Sequence, residues 1–197
     1  MIDLNIVLFD GFETLDALGP AEIFGKLQDE YTLNYISING GSIISSQQLS
    51  VNTVAFAEID DTGILLIPGG IGTRKLVNDS EFISELKRLA NKAPYVLTVC
   101  TGSALLARTD LLSGKRATTN KVAFEWASSN GLDVKWAKKA RWVVDGKYYT
   151  SSGVSAGMDM ALGFISDING NETAVAVARG IEYIWNTDAR NDPFALE

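Results

Sequence analysis

Short apolar runs and longer segments of helical periodicity take turns along the chain. Asn5-Ile6-Val7-Leu8-Phe9 is a β-type run closed by Asp10-Gly11. From about Thr14 to Leu27, the positions Leu15, Leu18, Ile23 and Leu27 recur at roughly helical spacing and predict the first helix. Leu33 to Ile38 predicts a second strand ended by Gly40-Gly41, and Ile43 to Phe56 a small hairpin excursion. Ile64-Leu65-Leu66-Ile67 is a continuous apolar run, as in a strand buried on both faces of a parallel sheet, and Pro68-Gly69-Gly70 terminates it. Ser80 to Lys92 carries the apolar stripe of an amphipathic helix, with Ser80 expected at its N-cap.

The second half repeats the alternation. Tyr95 to Val99 is another buried-strand run, followed at once by Cys100-Thr101-Gly102-Ser103 and the helical Ala104 to Ala107. Ala117-Thr118-Thr119 and Val122 to Ser128 read as one more strand and helix. Trp142 to Val144 and Lys147 to Thr150 flank Asp145-Gly146, a hairpin signal with Asp-Gly as its turn. Two helices, roughly Ser155 to Ile168 and Glu172 to Trp185, close the chain. Strands alternating with helices mean an α/β fold: a doubly wound, mostly parallel sheet sandwiched by helices, flavodoxin-like in layout.

Length and composition narrow the function classes. The 197 residues are expected to form one domain spanning 1–197, against a usual size of about 150. The net charge is −7 with both signs interspersed, which argues against a nucleic-acid surface. The densest basic stretch, Lys135 to Arg141, reads as a solvated loop or edge strand. The first residues carry neither a basic nor an apolar leader pattern, and no apolar run approaches the ~18 residues of a membrane span, so a cytoplasmic protein is expected. A single cysteine agrees with a reducing compartment. The absence of histidine removes Ser-His-Asp and Cys-His mechanisms within one chain and makes a transition-metal site improbable, so no metal or cofactor is expected.

In a parallel α/β sheet, ligands bind at the carboxyl ends of the strands. Four turns fall there: Asp10 to Asp16, Pro68 to Gly72, Cys100 to Ser103 and Ser151 to Gly157. A cysteine at a sharp strand-to-helix turn projects above the sheet, over free backbone N–H groups that favour thiolate. The alternative for a lone cysteine is a buried structural residue. Gly102 would permit close packing of helix on strand, and Ser103 would cap. The Pro68 to Gly72 turn, with Gly70 and Ile71, would lay backbone N–H groups beside the sulfur as an oxyanion hole. Glu13, Glu22, Glu58 and Glu125 read as solvated charges, and Trp126, Trp136, Trp142 and Trp185 as core or interface.

Ile64 to Gly72, Val99 to Ser103, Ala117 to Thr119 and Ser152 to Asp159 together resemble the ThiJ/PfpI family of the class I glutamine amidotransferase-like superfamily, in the right order and over essentially the whole chain. Within it the resemblance is greatest to the isocyanide hydratase subgroup, which carries aspartate in a D-x-x-G-P context and cysteine followed by threonine. Here these read Asp16-Ala17-Leu18-Gly19-Pro20 and Cys100-Thr101. PfpI-type proteases have histidine where Thr101 stands. Glyoxalase- and deglycase-like members have glutamate at the position of Asp16 and histidine at that of Asn120.

The resemblance implies a homodimer acting on a small molecule, without cofactor, nucleic acid or membrane. It implies Cys100 as nucleophile, Asp16 as general acid and Thr101 as the third member of the centre, with Gly70, Ile71, Asn120, Gly153 and Val154 around the substrate. An isocyanide hydratase-like lyase is the function it implies. A stress-response or ligand sensor whose cysteine is read by oxidation stands as the alternative, with an amidase or protease behind it. A carboxyl against the sulfur would share one proton with it and titrate jointly.

Overall fold

The computed structural model describes residues 1–195. Its strands are β1 (Ile2–Val7), β2 (Tyr31–Ser37), β3 (Gly41–Ile44), β4 (Ser50–Ala55), β5 (Ile64–Ile67), β6 (Val96–Thr98), β7 (Arg116–Ala117), β8 (Lys135–Trp136), β9 (Trp142–Asp145) and β10 (Tyr148–Ser151). The helices are α1 (Thr14–Gly25), α2 (Thr73–Leu76), α3 (Ser80–Lys92), α4 (Gly102–Arg108), α5 (Phe124–Ser128), α6 (Ala156–Asn169) and α7 (Asn171–Gly180).

An eight-stranded sheet runs in the order β3-β4-β2-β1-β5-β6-β10-β9. Its six inner strands are parallel, with Leu4 beside Ile64 and Leu66 beside Leu97, while β3 and β9 pair antiparallel at the two edges. All four residues of β5 are buried, as its uninterrupted apolar run requires. Helices α1, α6 and α7 pack together, and α2, α3, α4 and α5 form the second helical group. The core between sheet and helices holds two aromatic clusters. Phe24, Tyr31, Tyr95, Tyr149 and Phe164 make one, and Phe9, Phe56 and Phe82 the other, mostly edge-on or tilted at centroid separations of 5.0 to 6.3 Å.

Several local expectations shift. Asp79, not Ser80, caps α3, its Oδ1 accepting the Phe82 N–H at 3.0 Å. The β9–β10 hairpin turns through Gly146-Lys147, because Asp145 already pairs with Tyr148 and Gly146 takes φ +60°. Ala117 adds no strand to the main sheet; β7 pairs with β8 in a separate two-stranded ribbon. The last helix ends at Gly180 rather than Trp185.

The basic stretch ends in a buried charge rather than a solvated loop. Arg141 donates to Asp159 Oδ2 at 2.6 Å and lies 3.7 Å from Asp192, with all three side chains nearly sealed from solvent. Asp159 Oδ1 also accepts from Tyr183 and the Asn186 N–H, so the ion pair ties the segment after α7 to the start of α6. Removing one partner of such a pair leaves a buried charge uncompensated, at a cost of about 3–5 kcal/mol.

Candidate active site

Cys100 stands where β6 turns into α4, at φ +58°, a left-handed conformation that costs a non-glycine residue free energy. Its own peptide groups are fully employed. The N–H donates to the Ser152 carbonyl at 3.0 Å, and the carbonyl accepts the Ser103 and Thr119 hydroxyls at 3.0 Å each. Ser103 therefore anchors the turn rather than capping α4. Gly102 is required here, because a Cβ would run into the Ile67 carbonyl oxygen. These constraints hold the sulfur at the carboxyl end of the sheet, where 7% of the residue remains exposed.

Asp16 comes from α1 and is fully buried. The D-x-x-G-P sequence explains how it gets there. Gly19 lets α1 approach α6, since a Cβ would lie 2.8 Å from Met158 Cγ, and Pro20 has no N–H to offer the Asp16 carbonyl. Asp16 Oδ2 accepts the Gly69 N–H at 2.9 Å. Oδ1 has no hydrogen-bond partner among the described residues, and the Cys100 thiol is a polar neighbour that favours the charged carboxyl.

The backbone N–H groups of Thr101 and Val154 and the Asn120 amide neighbour the sulfur and favour its charged form. Val154 adopts φ +39°, a strained conformation for a β-branched residue. Asn120 is oriented by the Ala123 N–H, which donates to Oδ1 at 2.8 Å and leaves Nδ2 free. Gly153 makes room for that amide, because a side chain would occupy the position of Nδ2.

The Gly-rich turn after β5 plays a different part from the one expected. The Gly70 N–H donates to Thr101 Oγ1 at 3.1 Å, so it is not a free oxyanion donor. Thr101 Oγ1 also lies 3.2 Å from Thr73 Oγ1, which places its hydroxyl within the turn's own network. Gly70 takes φ +123°, and Gly69 leaves space for Thr101 and Asp16, whose Oδ2 lies 2.9 Å from a Cβ built there. Ile71 is 65% exposed and contributes its side chain to the rim.

Burial pushes the Asp16 carboxyl up to about 7. Burial, and then the Asp16 charge, pushes the Cys100 thiol up to about 12 against its three donors. The thiol is therefore not depressed by the helix start, as its position in sequence suggested. The physical reason is that two anions cannot share a closed apolar site, so over the range between these values the pair holds one proton and one negative charge.

The sulfur opens into a hollow of about 200 Å³ lined by Glu13, Gly70, Ile71, Arg74, Thr101, Asn120, Ala123 and Val154. Two charged residues of this wall escaped the sequence reading. Glu13, taken for a solvated charge, is on the wall, with Oε1 accepting from Gln47 Nε2 at 2.9 Å. Arg74 stacks on Trp126, its guanidinium carbon 3.5 Å from the ring centroid. Its only signal in the sequence is its place two residues beyond the Gly-rich turn.

A strained cysteine at a strand–helix turn of a doubly wound sheet, beside a buried carboxyl, defines a class of α/β protein with a cysteine elbow. The chain belongs to the DJ-1/PfpI family, whose model matches residues 4–167. It is similar to the isonitrile hydratase of Pseudomonas putida, 32% identical over 185 residues, covering 92% of this chain and 78% of that protein. A ThiJ/PfpI family protein from Pseudomonas syringae shares the fold at a TM-score of 0.81 with 25% identity, over 92% of this chain and 75% of the other. DJ-1beta of Drosophila melanogaster does so at 0.78 and 20% identity, over 93% and 99%.

Proposed function

We propose that the protein is an isocyanide hydratase-like lyase that adds water to a small isocyanide and releases an N-formamide. The observation that carries this reading is the Asp16–Cys100 pair: a buried carboxyl with one oxygen lacking any N–H or O–H donor, facing a sulfur that three N–H groups address, in a chain with no histidine. The order of the two titrations rests the pair's proton on sulfur, so the reaction begins when that proton passes from Cys100 to Asp16 Oδ1, leaving the charge on sulfur.

In the first step the Cys100 thiolate attacks the terminal isocyanide carbon while Asp16 gives that carbon its proton. A thioimidate, R–N=CH–S, results, with Asp16 now a carboxylate. Water then adds to the imidate carbon, the carboxylate taking one of its protons and passing it to nitrogen. The C–S bond breaks, thiolate leaves, the hydroxyl proton returns to Asp16 and the carbonyl of the formamide forms. Thr101, Asn120 and Val154 hold the sulfur in place through the N–H groups they present to it. Gly70, Ile71 and Gly153 shape the space around it.

The same reading makes the protein a cytoplasmic homodimer without resident cofactor. Its support is the family membership. Among the described residues, no helix is long and apolar enough to cross a membrane, and no acidic, cysteine or histidine cluster could hold a metal ion. The redox-sensing alternative draws on the same sulfur, and rapid stoichiometric oxidation of Cys100 by peroxide without any isocyanide turnover would favour it. Formamide production from an aryl or alkyl isocyanide tests the assignment. Turnover well above a Cys100→Ala control is expected, and none above that control overturns it.

A further inference from the structure

Arg74 is a cation in the wall of the Cys100 hollow that the hydration chemistry does not use. It is half-buried, and among the described residues it makes no salt bridge. One face of the guanidinium is covered by Trp126 at 3.5 Å, and Nη1 donates to Thr73 Oγ1 at 3.1 Å. These two contacts fix the group's position and leave most of its N–H donors unspent. Glu13, on the same wall, is engaged by Gln47 rather than by Arg74. Burial lowers the Arg74 pKa and the Cys100 charge raises it, so guanidinium and sulfur are within electrostatic reach.

A partly desolvated cation without an acidic partner, in a chain of net charge −7, needs an explanation. A guanidinium held by stacking presents a planar fork of N–H groups, which matches a carboxylate geometrically and is ordered before the ligand arrives. Glu13 and the single negative charge of the Asp16–Cys100 pair oppose a second charge on the ligand, which disfavours phosphate. The hollow, at about 200 Å³, admits only a small molecule.

We propose that Arg74 binds the carboxylate of a small monoanionic ligand whose electrophilic carbon is presented to Cys100. In the hydratase reading, on which this substrate class rests, the substrate is an isocyanide that carries a carboxylate on its nitrogen substituent. Arg74 is then a specificity-determining residue.

Iodoacetate and iodoacetamide test the charge recognition without any isocyanide. In both, the sulfur takes the methylene carbon and iodide leaves, and the reagents differ chiefly in charge. The ratio of the iodoacetate rate to the iodoacetamide rate at Cys100 is expected to fall about tenfold or more in Arg74→Gln, the order expected of a hydrogen bond between charged groups. Arg74→Lys, which keeps the charge, is expected to retain part of the preference, and it serves if the Gln variant does not fold. An unchanged ratio overturns the proposal. So does an equal loss with both reagents, which would assign the cation to the sulfur instead of the ligand. A second arm compares isocyanoacetate with its methyl ester, where kcat/KM for the anion relative to the ester is expected to fall by a similar factor in Arg74→Gln. If neither compound is hydrated, the hydratase reading fails, and the alkylation ratio alone upholds or overturns carboxylate binding by Arg74.

Discussion

Asp16 accepts the Gly69 N–H on Oδ2 at 2.9 Å and turns the carboxyl toward the Cys100 thiol, with no N–H or O–H donor on Oδ1. One oxygen is thereby committed to holding the Gly-rich turn, and the other has no hydrogen-bond partner among the described residues. Gly69 can serve in this way because it has no side chain, a Cβ there lying 2.6 Å from the Thr101 nitrogen. The division of labour within one carboxyl separates the structural from the chemical consequences of changing it.

Asp16→Asn keeps the size of the side chain and removes the transferable proton. Isocyanide turnover is expected to fall by a factor on the order of 10² to 10⁴, the usual worth of a positioned general acid. Alkylation of Cys100 by iodoacetamide should persist at the wild-type rate or above, because the charge that raises the thiol is gone while its three donors remain. Measuring both rates in the same variant separates the roles. A parallel loss would mean that Asp16 only shapes the turn, and unchanged turnover would remove it from the chemistry.

The raised carboxyl also predicts how stability depends on pH. In the unfolded chain Asp16 titrates near the ordinary value of about 4, and in the folded protein it titrates near 7. Between those values the folded state holds a proton that the unfolded state has lost. The Asp16 contribution is therefore fully present below about pH 4, declines as pH rises, and levels off above about 7, with a limiting slope of about 1.4 kcal/mol per pH unit. Urea unfolding of wild type and Asp16→Asn across this range should show that slope flattened in the variant. Parallel profiles would place the carboxyl in its ordinary range.

Gly153 and Asn120 should act as one unit. A methyl group at Gly153 would occupy the position of Asn120 Nδ2 and drive the amide from the sulfur. Gly153→Ala and Asn120→Ala are each expected to slow turnover, and the double variant to be no slower than the worse single one. Additive losses would show that Gly153 acts through something other than the Asn120 amide.

The apolar run Ile64 to Ile67 followed by Pro-Gly-Gly, and the run Tyr95 to Val99 followed by Cys-Thr-Gly, were legible because each is a local pattern with a local cause. A strand buried on both faces must be apolar throughout, and its exit needs residues that tolerate left-handed or crowded backbone. The D-x-x-G-P segment drew attention to Asp16 only through the family resemblance. Arg141, Glu13 and Arg74 show where that legibility stops. Arg141 sits in a run of lysines and looks solvated, yet Asp159 from α6 and Asp192 near the end of the chain enclose it. Glu13 and Arg74 are ordinary surface residues in sequence, and only the meeting of the β1–α1 turn, α2 and α5 places them beside Cys100 and Trp126. The direction in which Cys100 titrates was also beyond sequence. The turn supplies N–H groups that favour thiolate, but desolvation and a neighbouring carboxyl depend on what the rest of the chain packs around the sulfur. Periodicity and turn chemistry are written in neighbouring residues, so the sequence by itself determined the sheet and the elbow. Burial and charge coupling arise between residues far apart in the chain, and only the tertiary structure decided which groups meet at the sulfur and how they share a proton.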